Sequence, residues 1–366
     1  MKILTISNCS LNRSQGSGYV ILSHDDYARK VGHDVDLFGP ETYQLFKKAR
    51  WGNAYRITFG MFVLLLKLRL KQYDIIEFWG GESWLAVWYL NLFYSKKIIV
   101  HKSNGIEEHV AVSLNRYQWE PPAQKKWYHF DASKLYKWAE LKSDLIVTVS
   151  NYDKQFILRH NYKQPQQILS VYPGMTEAFM NLDVQYERTH TIGFCGSWIE
   201  RKGKSNIVAD ITKILKHYPE VNVIFIGVGN HINKAEIFPG IDPERVVIYP
   251  SISDKQELTE AYKKIAVAFM PSYHESFGLV LAEAMACGCA AVTSNTGYAF
   301  DLTHKEHVYK LPEIEAGCLF DGISWFLDHP EERKQIAKNG YEKVQVLRWW
   351  ASLPELYNRY ETMLTE

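Results

Sequence analysis

The chain has 366 residues, a net charge of +1 and 46% hydrophobic residues. This composition is that of a globular protein, and the length is sufficient for two domains. This balance gives no reason to expect a nucleic-acid partner, and no run reaches the roughly 18 apolar residues that cross a bilayer. The nearest run, 59–66, is followed by Lys67, Arg69 and Lys71. It predicts a buried helix with a charged edge, and membrane contact is the alternative.

The N-terminal residues form a short strand pattern rather than a secretory signal, so we expect a cytoplasmic protein. Residues 1–185 carry 23 basic and 17 acidic side chains, a net charge of +6, whereas residues 186–366 carry 19 and 24, a net charge of −5. The basic half favours an acidic acceptor or a membrane surface, and solvated faces explain it equally well. The five cysteines are scattered and complete no metal-site spacing, so we expect reduced, buried thiols.

Short β-branched runs alternate with longer helical patterns along the chain, which is typical of parallel sheets covered by helices. The predicted strands of the first half span 3–7, 35–38, 75–78, 98–101 and 145–149. Those of the second half span 192–195, 223–226, 246–249, 267–270 and 290–293. A polar stretch at 181–190 separates the halves, so we predict two doubly wound domains that bind ligands at the carboxyl ends of their strands.

The last segment, 346–366, contains Trp349, Trp350 and a helical pattern from 353 to 364. One interpretation is a helix that crosses back onto the first domain. The sequence supports equally well a helix that packs on its own domain.

Two carboxylates stand out in residues 271–288, which follow an apolar strand and continue into a helix that stops at Gly288. Glu275 and Glu283 lie eight positions apart. Glu283 is more than one turn into an apolar helix, where an unpaired carboxylate is costly and the hydroxyls of a ribose would satisfy it. The alternative is a helix start with one buried, hydrogen-bonded glutamate.

A Phe277-Gly278-Leu279 turn separates the two glutamates. Gly278 has no side chain, so a ligand can come close to the backbone there. The first N–H groups of the following helix lack acceptors within the helix and form a site for an anion such as a phosphate.

This segment resembles the signature of the retaining glycosyltransferases of family 4, a Glu, seven residues and a second Glu within Pro-Ser-x-x-Glu-x-Phe-Gly-Leu. The resemblance covers nearly the whole chain and implies the α/β GT-B fold, two doubly wound Rossmann-like domains facing each other across a cleft. It further implies an acceptor-side domain at 1–185, a nucleotide-sugar domain at 186–345, and a C-terminal helix that crosses back to the first domain.

A second segment, 193–203, follows a strand and opens a helix, as in the family's Gly-Arg-x-x-x-x-Lys-Gly segment that grips the donor diphosphate. Lys202 matches the family's lysine. Ser197 stands at the arginine position, and Arg201 is the candidate substitute. The alternative is an ordinary charged helix start.

The first half offers two weaker matches to the family. Gly16 and Gly18, in the loop 14–19, match the glycine-rich loop that the family places near the donor phosphates and sugar, although a plain β–α turn explains them too. Asn104 stands where related enzymes often carry a histidine near the reacting sugar. Asparagine can donate a hydrogen bond but cannot titrate, and His101 is expected to be structural.

The resemblance implies a metal-independent, retaining transfer of a hexose from a UDP- or GDP-sugar to a hydroxyl of a glycan, lipid-linked or small-molecule acceptor. We expect no cofactor or metal, since no Asp-x-Asp ends a strand. In this interpretation Glu275 holds the donor sugar and Glu283 the ribose, while Lys202, Arg201 and the 277–279 amides stabilise the departing diphosphate. The alternatives are a nucleotide-sugar 2-epimerase and a catalytically silent nucleotide-binding protein. A peripheral contact with the inner face of the membrane is compatible with each of these functions.

Overall fold

The computed structural model describes residues 1–13, 15–43, 53–117, 132–230 and 232–366. Ser14, the first residue of the glycine loop noted above, lies outside these ranges. The chain divides into two compact units. The first consists of Met1–Val112, Pro122–Gly174 and Arg348–Glu366, and the second of Ser113–Pro121 and Met175–Leu347.

The first unit contains a six-stranded parallel sheet in the order β2-β1-β3-β4-β5-β6. Its strands are β1 (Lys2–Ser7), β2 (Asp34–Phe38), β3 (Ile75–Trp79), β4 (Ile98–Ser103), β5 (Leu145–Thr148) and β6 (Ile168–Ser170). The central strands are buried along almost their whole length. This continuous burial explains their unbroken apolar runs, because a parallel sheet is covered by helices on both faces.

The helices of the first unit up to residue 174 are α1 (Gly16–Lys30), α2 (Pro40–Tyr43), α3 (Asn53–Lys67), α4 (Trp84–Phe93), α5 (Glu107–Arg116), α6 (Ser133–Lys142) and α7 (Asn151–Arg159). The division between the units falls within α5, after Val112. Side chains of α3, α4 and α6 share one apolar core with β1, β3 and β4. No helix of the described residues is both long and apolar enough to cross a bilayer.

The C-terminal helix belongs to the first unit. Leu353, Leu356, Tyr357 and Tyr360 are buried in a cluster with residues of α1 and of strands β1 to β5. The hydroxyl of Tyr357 also donates a hydrogen bond to the carbonyl oxygen of His24 at 3.2 Å. This helix, α14 (Trp349–Thr365), therefore completes the core on one face of the first sheet.

A charged pair lies in the interior of the first unit. Lys102 of β4 is fully buried, and its Nζ lies 2.7 Å from Oε1 of Glu77 on β3. Thr5 and Tyr360 donate hydroxyl hydrogen bonds to the two oxygens of Glu77, each at 2.7 Å. Because Tyr360 belongs to the last helix, this network ties that helix to the centre of the sheet.

The second unit also contains a six-stranded parallel sheet, in the order β12-β11-β10-β7-β8-β9. Its strands are β7 (Thr191–Cys195), β8 (Asn222–Ile226), β9 (Val246–Tyr249), β10 (Val267–Met270), β11 (Ala290–Ser294) and β12 (Tyr309–Leu311). Its helices are α8 (Lys204–His217), α9 (Lys234–Ile237), α10 (Lys255–Lys263), α11 (Leu279–Ala286), α12 (Cys318–Asp328) and α13 (Pro330–Val344). The last helix of the chain, α14 (Trp349–Thr365), follows α13.

The ten strands expected from the sequence are all present, with ends no more than two residues from the expected positions. β6 and β12 are additional, and each is a three-residue strand at the edge of its sheet. The main segment of the second unit begins after Gly174, before the polar stretch at 181–190, and ends at Leu347. All five cysteines are free, and Cys287, Cys289 and Cys318 are buried.

Candidate functional site

The two segments that carry the family signature lie at the carboxyl ends of neighbouring strands in the second unit. Residues 193–203 contain the end of β7 and residues 271–288 follow β10, and these strands pair directly. From β7 the chain proceeds to β8 on one side, whereas β10 lies on the other side. The order of the sheet thus reverses between β7 and β10, and doubly wound sheets bind their ligands outside such a switch point.

Gly203 explains how closely the two segments pack. Its φ is +78°, a left-handed conformation that favours glycine, and a Cβ there would lie 2.4 Å from the carbonyl oxygen of Pro271. The backbone N–H of Tyr273 donates to the carbonyl oxygen of Arg201 at 2.9 Å. Nη1 of Arg201 donates to the carbonyl oxygen of His274 at 3.0 Å. One N–H group of the Arg201 side chain therefore holds in place the loop between β10 and α11.

Lys202 and Glu275 form the central pair of this site. Nζ of Lys202 donates a hydrogen bond to Oε1 of Glu275, and the two side chains are 17% and 19% exposed. Burial by itself would raise the pKa of the Glu275 carboxyl, but Lys202, Ser272 and Arg201 outweigh burial and hold this pKa below its ordinary value. The carboxylate is therefore ionised at neutral pH, and solvent reaches both members of the pair.

The turn before α11 has the backbone conformation that the sequence suggested. Gly278 has a φ of +87° and precedes Leu279, the first residue of the helix. A Cβ at Gly278 would lie 3.6 Å from Cβ and Cγ of Glu275, so the start of the helix and this carboxylate are neighbours. Phe277 is buried, and its carbonyl oxygen accepts a hydrogen bond from Tyr298 N–H at 2.7 Å.

Glu283 has a protein partner that the sequence did not reveal. It is buried in α11, and its Oε1 lies 3.0 Å from Nζ of Lys255, the first residue of α10. Nζ of Lys255 also lies 5.5 Å from the ring centroid of Phe179. Burial raises the pKa of the Glu283 carboxyl, and Lys255 opposes part of that rise. No spacing rule links residues 28 positions apart, so only the folded structure reveals this pair.

Ser197 is exposed beyond the end of β7, and its carbonyl oxygen accepts a hydrogen bond from the N–H of Ile199 at 3.0 Å. It lies on the same side of the second sheet as Lys202, at the carboxyl ends of the strands. A serine hydroxyl can donate one hydrogen bond to a phosphate but brings no positive charge.

The remaining candidates belong to the first unit. Gly16 is the first residue of α1, and Gly18 is buried, where a Cβ would lie 2.3 Å from the carbonyl oxygen of Asn12. The close approach at Gly18 is thus made by the chain's own backbone. Asn104 directly follows β4. His101 is fully buried within that strand, and burial lowers its pKa to about 4, so its imidazole is neutral.

A known protein family matches most of the second unit. Residues 177–343 match the family described as Glycosyl transferases group 1. A D-inositol 3-phosphate glycosyltransferase from Corynebacterium aurimucosum is 24% identical over 239 residues, 60% of this chain and 56% of that protein. The chain thus spans little more than half the length of this relative.

Two solved structures are similar over the whole chain. A sucrose-phosphate synthase from Thermosynechococcus elongatus has a TM-score of 0.74 at 18% identity, covering 100% of this chain and 99% of that one. HepE of Anabaena in complex with UDP has a TM-score of 0.67 at 13% identity, covering 99% and 100%. Such identities establish the fold alone. The fold class expected from the sequence is therefore confirmed as two Rossmann-like units, with solved structures of the GT-B fold as neighbours.

Proposed function

We propose that this protein is a retaining, metal-independent glycosyltransferase that moves a hexose from a nucleoside-diphosphate sugar to an acceptor hydroxyl. The observation that carries the proposal is the Lys202–Glu275 pair beside the start of α11, at the switch point between β7 and β10. The site combines a cation, a helix N-terminus and an ionised carboxylate. These groups suit the phosphates and the hydroxyls of one sugar nucleotide.

The diphosphate would bind between Lys202 and the first N–H groups of α11. A helix N-terminus carries a partial positive charge, and an ammonium group is a strong phosphate ligand. Arg201, whose Nη1 holds the carbonyl oxygen of His274, keeps further N–H donors on its guanidinium. These groups would supply positive charge without a bound cation, which is why we propose a metal-independent reaction.

The two glutamates would then bind the sugar hydroxyls of the donor. Glu275 is ionised and partly exposed, so it can accept hydrogen bonds from the hexose while Lys202 turns to the phosphate. Glu283 lies about one helical turn after the start of α11 at Leu279 and would accept from the ribose, with Lys255 holding its carboxylate. Gly16, Gly18 and Asn104 remain proposed donor contacts from the first unit.

In the proposed reaction the bond from the anomeric carbon to the diphosphate oxygen breaks through an oxocarbenium-like transition state. The acceptor oxygen attacks the same face, and its proton passes to the departing phosphate oxygen, so the configuration is retained. Negative charge grows on the diphosphate during this step. Lys202 and the amides of 277–279 would stabilise that charge, which is electrostatic catalysis by donors already in place.

UDP and GDP are the donor bases we propose to test first. HepE, which shares the fold, was crystallised with UDP. The acceptor would be a hydroxyl of a glycan, a lipid-linked sugar or a small molecule, as in polysaccharide biosynthesis at the inner face of the cytoplasmic membrane. The related Corynebacterium protein is named for an inositol phosphate acceptor.

The experiment is an assay of UDP, GDP and ADP release from a panel of sugar donors, with and without pooled glycan and lipid acceptors, in excess EDTA. We expect acceptor-dependent release of one nucleoside diphosphate and an α-linked product from an α-linked donor. A strict requirement for manganese or magnesium would contradict the metal-free proposal. An epimer formed from the donor alone would indicate an isomerase, and nucleotide binding without turnover would indicate a silent binding protein.

A further inference from the structure

Helices α3 and α4 of the first unit expose an unusual number of large apolar side chains. Twelve large hydrophobic residues are exposed among those the structure describes, and five of them belong to these two helices. They are Phe59 (39%), Leu66 (52%), Trp88 (46%), Leu92 (58%) and Phe93 (63%). We call these five residues the α3–α4 face. Exposed apolar side chains that cluster, rather than lie singly, mark an interaction surface.

The α3–α4 face is continuous because the two helices pack side by side. The ring of Phe62 on α3 lies edge-on to that of Tyr89 on α4, with centroids 5.6 Å apart. Tyr89 in turn contacts Phe93 at 5.1 Å. Within α3, Phe59 and Leu66 are seven positions apart, and such a spacing returns to the same side of a helix. Trp88 and Leu92 lie one turn apart on α4, so the five exposed side chains belong to two helices that pack against each other.

Most charged side chains in and just after α3 and α4 are basic, and the exposed Asp74 is the acidic exception that follows directly. Residues 53–73 and 84–97 contain no Asp or Glu, whereas Lys67, Arg69, Lys71 and Lys96 are exposed. Nζ of Lys97 donates to the carbonyl oxygen of Lys71 at 3.0 Å, which joins the segment after α3 to the segment after α4. The exposed cations thus concentrate at one end of the apolar surface.

We propose that the α3–α4 face docks on an anionic lipid bilayer. Tryptophan, phenylalanine and leucine bury readily at the boundary between headgroups and acyl chains, and lysine and arginine beside them bind lipid phosphates. An anionic membrane complements an apolar surface whose neighbouring exposed charges are mainly basic, Lys67, Arg69, Lys71 and Lys96 against Asp74. This inference does not depend on the proposed sugar transfer, because none of these residues belongs to the candidate site.

The test is co-sedimentation of the full chain with vesicles of phosphatidylcholine alone or of phosphatidylcholine mixed with phosphatidylglycerol. We expect at least tenfold stronger binding to the anionic vesicles, because each basic residue near such a surface contributes about fivefold. High salt should remove most of this preference, since screening shortens the reach of the charges. Equal binding to both vesicles, or binding to neither, would overturn the proposal.

Two sets of variants locate the surface. Leu92→Ser with Phe93→Ser should weaken binding to anionic vesicles on the order of tenfold or more, because it removes apolar area. Lys67→Gln with Lys96→Gln should weaken it by roughly twentyfold and leave neutral vesicles unaffected. Trp350→Ser, a change at a 64% exposed tryptophan of α14, is the matched control and should bind as the wild type.

A different occupant would give a different result. If the α3–α4 face is instead an interface between two copies of the chain, sedimentation equilibrium without lipid would show a dimer that Leu92→Ser with Phe93→Ser dissociates. That outcome would contradict the proposal. Because both residues are exposed, the variants should keep the wild-type melting temperature, and a large loss of stability would contradict the exposed arrangement itself.

Discussion

Each unit of the chain contains a lysine–glutamate pair, and the two pairs differ in their surroundings. In the first unit Lys102 and Glu77 are 0% and 4% exposed, and Glu77 also accepts hydrogen bonds from Thr5 and Tyr360. In the second unit Lys202 and Glu275 are 17% and 19% exposed at the carboxyl ends of two strands. The first pair has its partners within the fold, whereas the second remains accessible to a ligand.

This is the difference expected between an ion pair that stabilises the fold and one that binds a ligand. A buried pair is stable only when each charge is matched and every remaining oxygen is hydrogen-bonded, so Lys102–Glu77 has no capacity left for a substrate. A partly exposed pair at a switch point contributes little to stability and can exchange partners. The same two side chains thus serve packing in one unit and, in our proposal, binding in the other.

The largest effect is expected from breaking the buried pair. Lys102→Met should lower the free energy of unfolding by about 3–5 kcal/mol, because it leaves the Glu77 carboxylate buried without a counter-charge. Urea unfolding measures this loss. Lys102→Met with Glu77→Gln removes both charges and should be less destabilised than the single change. A cost below about 1 kcal/mol for Lys102→Met would contradict the comparison, since that is the range of exposed pairs.

The opposite profile, a large effect on activity and a smaller one on stability, is expected for the partly exposed Lys202–Glu275 pair. Lys202→Met should reduce kcat on the order of a hundredfold or more, because a donor that stabilises the departing diphosphate is lost. Its effect on the free energy of unfolding should be smaller than that of Lys102→Met, because solvent reaches the Glu275 carboxylate. Lys204→Met, at an exposed lysine two positions along, is the matched control and should retain activity. Wild-type kcat in Lys202→Met would contradict the role proposed for this lysine.

A pH profile tests the second carboxylate of the site. Burial raises the pKa of Glu283 and Lys255 partly opposes this rise, so Lys255→Met should raise that pKa further. Only the ionised carboxylate accepts both ribose hydroxyls, so nucleotide affinity should fall as the pH falls through this pKa. In Lys255→Met the fall should begin at a higher pH. Titration calorimetry across the pH range measures it.

Other titratable groups near Glu283 are Tyr262 of α10, Cys195 at the end of β7 and Cys287 after α11. Burial raises the pKa of each, so all three stay neutral where Glu283 titrates. Glu283→Gln should therefore abolish the pH dependence, and Lys255→Arg should restore the wild-type profile. The same profile in wild type and Lys255→Met would show that this lysine does not act on Glu283.

The smallest effect is expected at the hydroxyl that joins the last helix to the buried pair. Tyr360→Phe removes one hydrogen bond to Glu77 and should cost roughly 1 kcal/mol of stability. Activity should not change, because this buried hydroxyl bonds Glu77, which is not one of the residues proposed to bind the donor. Urea unfolding and a turnover assay measure the two quantities. Unchanged stability would mean that another donor replaces this hydroxyl.

The strands that carry the site could be predicted from the sequence because β7 and β10 are short apolar runs between polar segments. Edge strands β6 and β12 could not, since three residues are too few to form a pattern. Glu275, Gly278 and Lys202 were found through the family signature. Lys255 was not, because its contact with Glu283 depends on how helices α10 and α11 pack, which no local pattern records.

The exposed α3–α4 face shows the same limit. The sequence predicted a buried helix with a charged edge over 59–66, and the structure places Phe59 and Leu66 at the surface. Periodicity indicates that a helix has an apolar side, but it does not say how much of that side neighbouring helices cover. Here α4 contributes further exposed apolar residues instead of covering those of α3 completely.

The central claim is that Lys202 and the start of α11 hold a diphosphate without a metal ion. A crystal soaked with UDP or GDP in the presence of magnesium tests it most directly. We predict that the phosphates lie within hydrogen-bond distance of Lys202 Nζ and the 277–279 amides. No metal ion should bridge the phosphates and a carboxylate of the protein. A nucleotide bound away from residues 275–283, or held there through a coordinated metal, would contradict the account.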